Sequence, residues 1–185
     1  MNLSWDERWQ QKKDETTPPA DTWLIKQKKH FSKGTALDLA CGRGRNSLFL
    51  AENGYQVTGI DSSSTALELL LASASAKNLN IEVQQHNLET GLPSLPDQFD
   101  LLLSFYFLQR NLFPHMQASI APRGLFIGRS FCQTSTSGAV NDIIYEPGEL
   151  IELFSGWDIL EYEEGIEMSQ RGGTLAGIVA RKPFS

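Results

Sequence analysis

Two acids bracket a pair of glycines in "LDLACGRGRNSLFLAENGYQVTGID", residues 37–61. Asp38 lies in a short apolar run, Gly42 and Gly44 follow it, and Asp61 closes a second apolar run about 20 residues after the first glycine. These residue types suit a nucleotide-like ligand. Glycine lets the backbone approach a ligand closely and adopts positive φ without strain. A helix that opens at such a loop aims its free N–H groups and its positive dipole end at the site. A carboxylate ending the next strand can accept both hydroxyls of a ribose.

Two ligands fit this much: a dinucleotide such as NAD, and S-adenosylmethionine. The dinucleotide fingerprint is G-x-G-x-x-G. Here the stretch reads "GRGRNS", with Ser47 in the place of the third glycine. Asp38 separates the two further. A carboxylate beside the loop repels an anionic pyrophosphate, whereas it attracts the ammonium at the methionine end of S-adenosylmethionine, directly or through water. The blander role for Asp38 is to cap the backbone N–H groups of its own loop. Gly42 and Gly44 alone would mark only a tight turn.

The elements that must hold these residues follow from the hydrophobic pattern. "TALDLA", "YQVTGID", "IEVQQHN", "FDLLLSF" and "LFIGRSF" read as strands. "RNSLFLAENG", "SSTALELLLASASAKN" and "NLFPHMQASIA" read as the helices between them, with "TGLPSLPDQ" a loop and "PRG" a turn before the fifth strand. Such alternation means right-handed crossovers and a parallel sheet. "FDLLLSF" is too apolar to have a wet face and should be central. "EPGELIELFSG" reads as a helix. "WDILEYEE" and "GTLAGIVARK" read as two further strands, with the short turn "GIEMSQRGG" between them. A parallel pair needs a crossover of about a dozen residues, so this pair should be antiparallel. Ahead of the sheet, "WDERWQQKK" predicts a short helix capped by Ser4, and "DTWLIKQKKHF" another capped by Asp21. Prolines 18 and 19 separate them.

With these residues in place, the chain resembles the class I S-adenosylmethionine-dependent methyltransferases, and within them the tellurite-resistance (TehB-type) branch. The resemblance runs from "CGRGRNSLFLA" and "GYQVTGID" through "FDLLLSFYFL", "APRGLFI" and "YEPGELIELFSGWDILEYEE" to "GIVARKP". It implies one α/β domain over residues 1–185. Its Rossmann-like sheet would have seven strands in the order 3-2-1-4-5-7-6, the last antiparallel, with helices on both faces and residues 1–33 as a helical lid. It implies that Asp38 and the loop Ala40, Cys41, Gly42 and Gly44 hold the methionine end of the cofactor, with Asn46 nearby. Asp61 would take the ribose hydroxyls. Ser62, Asn87 and Leu88 would surround the adenine, although Asn87 also suits a turn. Ser104, Phe105 and Tyr106 would face the reacting methyl and the acceptor. Trp5, Arg8 and Trp9 lie at i, i+3 and i+4, on one helical face. They could close over the donor, or simply pack the helix on the sheet edge.

Methyl transfer from a sulfonium is an in-line displacement in which the donor carries the activation and the protein mainly positions the partners. No convincing general base is visible. His115, on the helix after Pro114, is a candidate, with an ordinary surface or core histidine the plainer role. Trp9, Tyr106, Arg110, Arg129 and Arg171 are candidates to line an acceptor pocket, with a surface ion pair the plainer role for Arg129 and Arg171. The tellurite branch carries a His-Arg pair in the turn before the last strand. Here that turn keeps Arg171, has no histidine, and places Glu167 nearby. The expected acceptor is therefore a neutral or softly nucleophilic small molecule rather than tellurite. Two other readings stay open: an NAD(P)-dependent oxidoreductase, and an inactive S-adenosylmethionine-binding module.

Bulk properties narrow the partners. The formal net charge is −6, which argues against a nucleic-acid partner because such proteins usually need a basic face. The cluster Lys26, Lys28, Lys29, His30 and Lys33 suits the C-terminal end of a helix. No apolar stretch reaches the roughly 18 residues that would span a bilayer. The polar start "MNLSWDERWQQKKDE" lacks a signal-like segment, so a cytoplasmic monomer or homodimer without membrane contact is expected. Cys41 and Cys132 form no CxxC, and the three histidines are scattered, so no metal site is expected.

Overall fold

The structure is a computed structural model that describes residues 3–95, 98–132, 144–168 and 173–184. Its seven strands form one sheet, in the order β3-β2-β1-β4-β5-β7-β6. The chain divides into two compact units, residues 1–94 and 95–185.

The first unit starts with α1 (Trp5–Gln10) and α2 (Thr22–Lys26). Ser4 and Glu7 form a reciprocal capping box at the start of α1, and Asp21 caps α2 by accepting from the Trp23 N–H at 2.9 Å. Then come β1 (Gly34–Leu39), α3 (Arg45–Glu52), β2 (Tyr55–Asp61), α4 (Ser64–Ala76) and β3 (Ile81–Gln85). β2 pairs in parallel with β1 and with β3. The pairing follows from the crossover helices, and it brings the carboxyl ends of β1 and β2 to the same edge of the sheet. Leu37, Leu39, Ile60, Leu48, Leu50 and Leu70 are buried and form the core of this unit. α1 differs from the other helices of the unit in burying none of its residues.

The second unit contains β4 (Phe99–Phe105), α5 (Phe113–Ala118), β5 (Ile120–Cys132), α6 (Glu149–Glu152), β6 (Asp158–Met168) and β7 (Thr174–Arg181). β4 and β5 are parallel, while β7 runs antiparallel to both β5 and β6. All of β7 but its last residue is buried, as expected of a strand flanked on both sides. Phe126, Phe154, Phe113 and Trp157 form an aromatic cluster, with the Phe126 and Phe154 rings 4.4 Å apart.

Several helices are shorter than the sequence pattern suggests, α6 most of all, and two strand boundaries differ for a reason that lies elsewhere in the chain. "PRG" is an excursion inside β5 rather than a turn before it. The register jumps from Phe99↔Ile120 to Leu101↔Leu125, and Arg123 takes φ 68°. The backbone of this excursion is bonded to Lys182, whose N–H donates to the Gly124 carbonyl and whose carbonyl accepts from Arg123. At the other end, β6 continues through Met168, so Glu167 belongs to a strand that the sequence pattern ended at Glu164. Among the described residues, no helix is long and apolar enough to cross a membrane.

Candidate functional site

At the end of β1 the chain turns sharply. Ala40, Gly42 and Gly44 have φ of 53°, 55° and 78°. Glycine suits position 44 on two counts: its φ is positive, and a Cβ there would lie 2.1 Å from Leu70 Cδ1 of α4, so that the leucine would have to shift. Gly42 lies against Trp9, whose Cζ2 would be 2.8 Å from an added Cβ. The glycines therefore serve close packing on α4 and on α1 as well as the turn itself.

Asp61 ties this loop to the next strand. Its Oδ2 accepts from the Gly42 N–H at 2.8 Å and its Oδ1 from the Ser63 N–H at 2.9 Å. Burial raises its carboxyl above the usual range, against the opposing pull of the Ser63, Gly42 and Ser62 backbone donors. Each carboxylate oxygen has a second lone pair, so the group can still accept ribose hydroxyls.

Asp38 is only 2% exposed. Ser47 Oγ, in the first turn of α3, donates to its Oδ2 at 2.6 Å. Burial pushes the Asp38 carboxyl up to about 7. The Ser47 hydroxyl lowers it, the nearby Asp61 raises it further, and Arg45 offsets part of that. Arg45 is itself engaged with Asp21 at 3.1 Å. Asp38 is thus a desolvated carboxylate that a ligand cation would stabilise in its charged form. The Ser47 backbone N–H also bonds to Asp38, so this acid caps the start of α3 rather than the glycine loop.

The other predicted residues of this unit take varied places. Cys41 packs its sulfur beside Gly59, and burial raises its thiol well above the ordinary value. Asn46 is buried and accepts from the Asp21 N–H at 2.9 Å, so it anchors the segment leading into α2. Ser62 is exposed. Asn87 is exposed, and its side-chain oxygen caps the short turn Leu88–Thr90 by accepting from the Glu89 N–H at 3.0 Å. Its NH2 group remains a donor. Leu88 is buried.

On α1 only one of the three expected residues, Trp9, meets the loop. Trp5 is 57% exposed, and Arg8 stacks on it, with Cζ 4.9 Å from the ring centre. The docked face consists of Asp6, Trp9 and Gln10. Asp6 Oδ1 accepts from Ser63 Oγ at 2.7 Å and from the Thr65 N–H at 3.1 Å, and Gln10 donates to Thr65 Oγ1 at 2.7 Å. The aromatic spacing pointed one position away because this helix docks through hydrogen bonds rather than apolar burial. Arg43 was also missed. It is buried and donates to the Lys12 carbonyl at 3.1 Å and to the Glu15 carbonyl. A charged residue between two required glycines was the available signal.

In the second unit, Ser104 and Phe105 are buried at the end of β4, and Ser104 Oγ donates to the Phe107 carbonyl at 3.3 Å. Tyr106 takes φ 57° and stays 37% exposed, its ring 5.5 Å from that of Phe131. Arg110 makes a bidentate pair with Glu149, at 2.5 and 2.8 Å, and also donates to the Ile144 carbonyl. Arg129 is an ion-pair residue, bonded to Glu163 at 3.0 Å, but it is fully buried rather than at the surface. Its place on β5, between β4 and β7, accounts for the burial. His115 is exposed. Arg171 lies outside the described residues, as do residues 169, 170 and 172 of the same turn.

Residues 3–174 match the family described as tellurite resistance protein TehB. A probable S-adenosyl-L-methionine-dependent methyltransferase TehB of Haemophilus influenzae is 27% identical over 152 residues, 77% of this chain and 52% of that protein. The chain thus spans about half the length of that curated relative. The crystal structure of TehB from Haemophilus influenzae superposes with a TM-score of 0.78 at 24% identity, covering 96% of this chain and 67% of that one. The DhpI-SAM-HEP complex gives a TM-score of 0.67 at 18% identity, covering 95% and 93%. Both structural likenesses bear on the fold, which is the Rossmann-like methyltransferase architecture.

Proposed function

Because the chain belongs to the tellurite resistance protein TehB family, we propose that it is a cytoplasmic S-adenosylmethionine-dependent methyltransferase acting on a small-molecule acceptor. Residues 1–185 then form one methyltransferase domain, with residues 1–33 as its N-terminal cover. The observation that carries this reading is the pair of buried acids around the glycine loop. Asp38 lacks a full countercharge, and an ammonium supplies one. Asp61 holds the loop and keeps lone pairs for ribose hydroxyls. A dinucleotide would instead set its pyrophosphate beside Asp38, at a Coulomb cost that burial enlarges.

The donor supplies an activated methyl on its sulfonium. The protein's part is binding, orientation and exclusion of water. Asp38 orients the ammonium, and Asp61 fixes the ribose. Ser62, Leu88 and the Asn87 NH2 border the adenine, and Trp9 covers the glycine loop. Tyr106 and the end of β4 are assigned to the acceptor.

Calorimetry tests the donor directly. S-adenosylhomocysteine should bind and NAD should not. Asp61→Ala should weaken binding by about 1–3 kcal/mol, the range for losing hydrogen bonds to a charged group. NAD binding without any response to S-adenosylhomocysteine would refute the proposal.

A further inference from the structure

We infer that Asp6 and Arg43 are positioning residues that couple the N-terminal strap, residues 4–20, to the donor loop, so that donor binding and strap docking reinforce one another. The inference rests on the donor reading of the Asp38–Asp61 loop and extends it to residues that touch no donor themselves.

A continuous chain of hydrogen bonds links the two. The Gly42 N–H donates to Asp61 Oδ2, the Ser63 N–H donates to Asp61 Oδ1, and Ser63 Oγ donates to Asp6 on the strap. Ser63 is thus shared between the acid assigned to the ribose and the helix that covers the loop. A second link starts inside the glycine loop. Arg43 projects its guanidinium onto the Lys12 and Glu15 carbonyls, in the non-helical stretch after α1. Trp9 fills the space over Gly42 between these two links. Further along, Thr17 and Ser73 hydroxyls are 3.3 Å apart, so the strap follows α4.

The energetics favour a reversible strap over a fixed structural element. α1 buries no residue, so little apolar area holds it down. The Arg43 guanidinium is buried against neutral carbonyls, and its Nε–H has no acceptor. An incompletely satisfied buried cation is a poor source of stability. The docked strap is therefore held by the Trp9 ring against Gly42 and by a few polar bonds, most of them to residues in or next to the donor loop. An element so held is shifted by any ligand that favours one of its two states, and the coupling is reciprocal.

The test uses the full chain, S-adenosylhomocysteine as probe, and the variants Asp6→Ala, Arg43→Gln and Arg43→Lys. In the wild type the probe should slow amide exchange across residues 5–17. Asp6→Ala and Arg43→Gln should each speed probe dissociation about tenfold and abolish that slowing, with the ligand-free melt nearly unchanged. Arg43→Lys should restore part of the effect. The double variant should be no worse than deletion of residues 1–15, because all act through one strap. Probe binding with unaltered exchange in the strap, or unchanged dissociation in Asp6→Ala, would overturn the coupling while leaving the donor reading intact. A wild type that does not bind the probe at all would overturn both.

Discussion

A buried acid with too few partners is the most informative residue of the chain. Asp38 should make stability and donor binding respond to pH in opposite directions. Its folded carboxyl sits near 7 against an ordinary 3.8, so between those values the folded state holds a proton that the unfolded state has released. Stability then falls as pH rises, by about 1.4 kcal/mol per unit from this group alone, and levels off above 7. On the proposed reading, donor binding needs the carboxylate. Affinity for S-adenosylhomocysteine should rise toward pH 7 and then flatten, with proton release at pH 6 that calorimetry in buffers of different ionisation enthalpy can measure. Asp38→Asn should raise the melting temperature of the ligand-free protein at pH 8, remove this proton release, and weaken binding. If Asp38→Asn binds the probe as tightly as the wild type, the ammonium assignment is wrong. At this scale the sequence was legible where charge and backbone chemistry coincided, at Asp38, Gly42, Gly44 and Asp61. It was silent on Ser47, whose hydroxyl engages Asp38, because a hydroxyl is as common in a first helical turn as in a ligand shell. It set Asn46 beside the cofactor and left Asn87 a turn residue as its alternative, and the side-chain oxygens of both serve the backbone.

The elements divide into those packed around the glycine loop and one, α1, that docks on it without burying a residue. α3 and α4 are bound into the first unit by packing, and Gly44 is the point where they meet the loop. Gly44→Ala would need φ near 78° for a residue with a Cβ and would drive that Cβ into Leu70. It should cost about 1–3 kcal/mol, read as a lower urea midpoint with m unchanged. The N-terminal helix should behave differently. Deleting residues 1–15 removes no buried side chain of α1, so the remaining chain should still melt cooperatively while its donor dissociates faster. Loss of the cooperative transition would make the segment structural. The strands and long helices were legible because their apolar runs match their periods over whole elements. The short pieces were not. β5 runs through "PRG" because Lys182, far along the chain, completes the hydrogen bonds of the excursion. β6 outlasts its alternating pattern because β7 pairs with it as far as Met168. Partners distant in sequence settled both boundaries, and local propensity does not contain them.

For the whole molecule the open question is the acceptor, and charge is the available argument. The chain carries a net charge of −6. In the second unit, Arg110 is paired with Glu149 and Arg129 with Glu163. Glu164 accepts from the Gly148 N–H and from the Tyr162 hydroxyl. Guanidinium groups already matched by carboxylates offer an oxyanion much less than isolated ones would. Tellurite should therefore be a poor substrate, and a neutral or softly nucleophilic acceptor such as a small thiol a better one. A thiol also suits a site with no evident general base among the described residues, since a fraction of it is already thiolate near neutral pH. Parallel turnover assays with tellurite and a panel of small thiols, followed by formation of S-adenosylhomocysteine, decide the matter. The expected result is faster turnover with at least one thiol, and Arg171→Ala should change that rate by less than about threefold if the residue is a surface group. Efficient methylation of tellurite that survives Arg171→Ala would show that neither this arginine nor the acidic surroundings govern the acceptor.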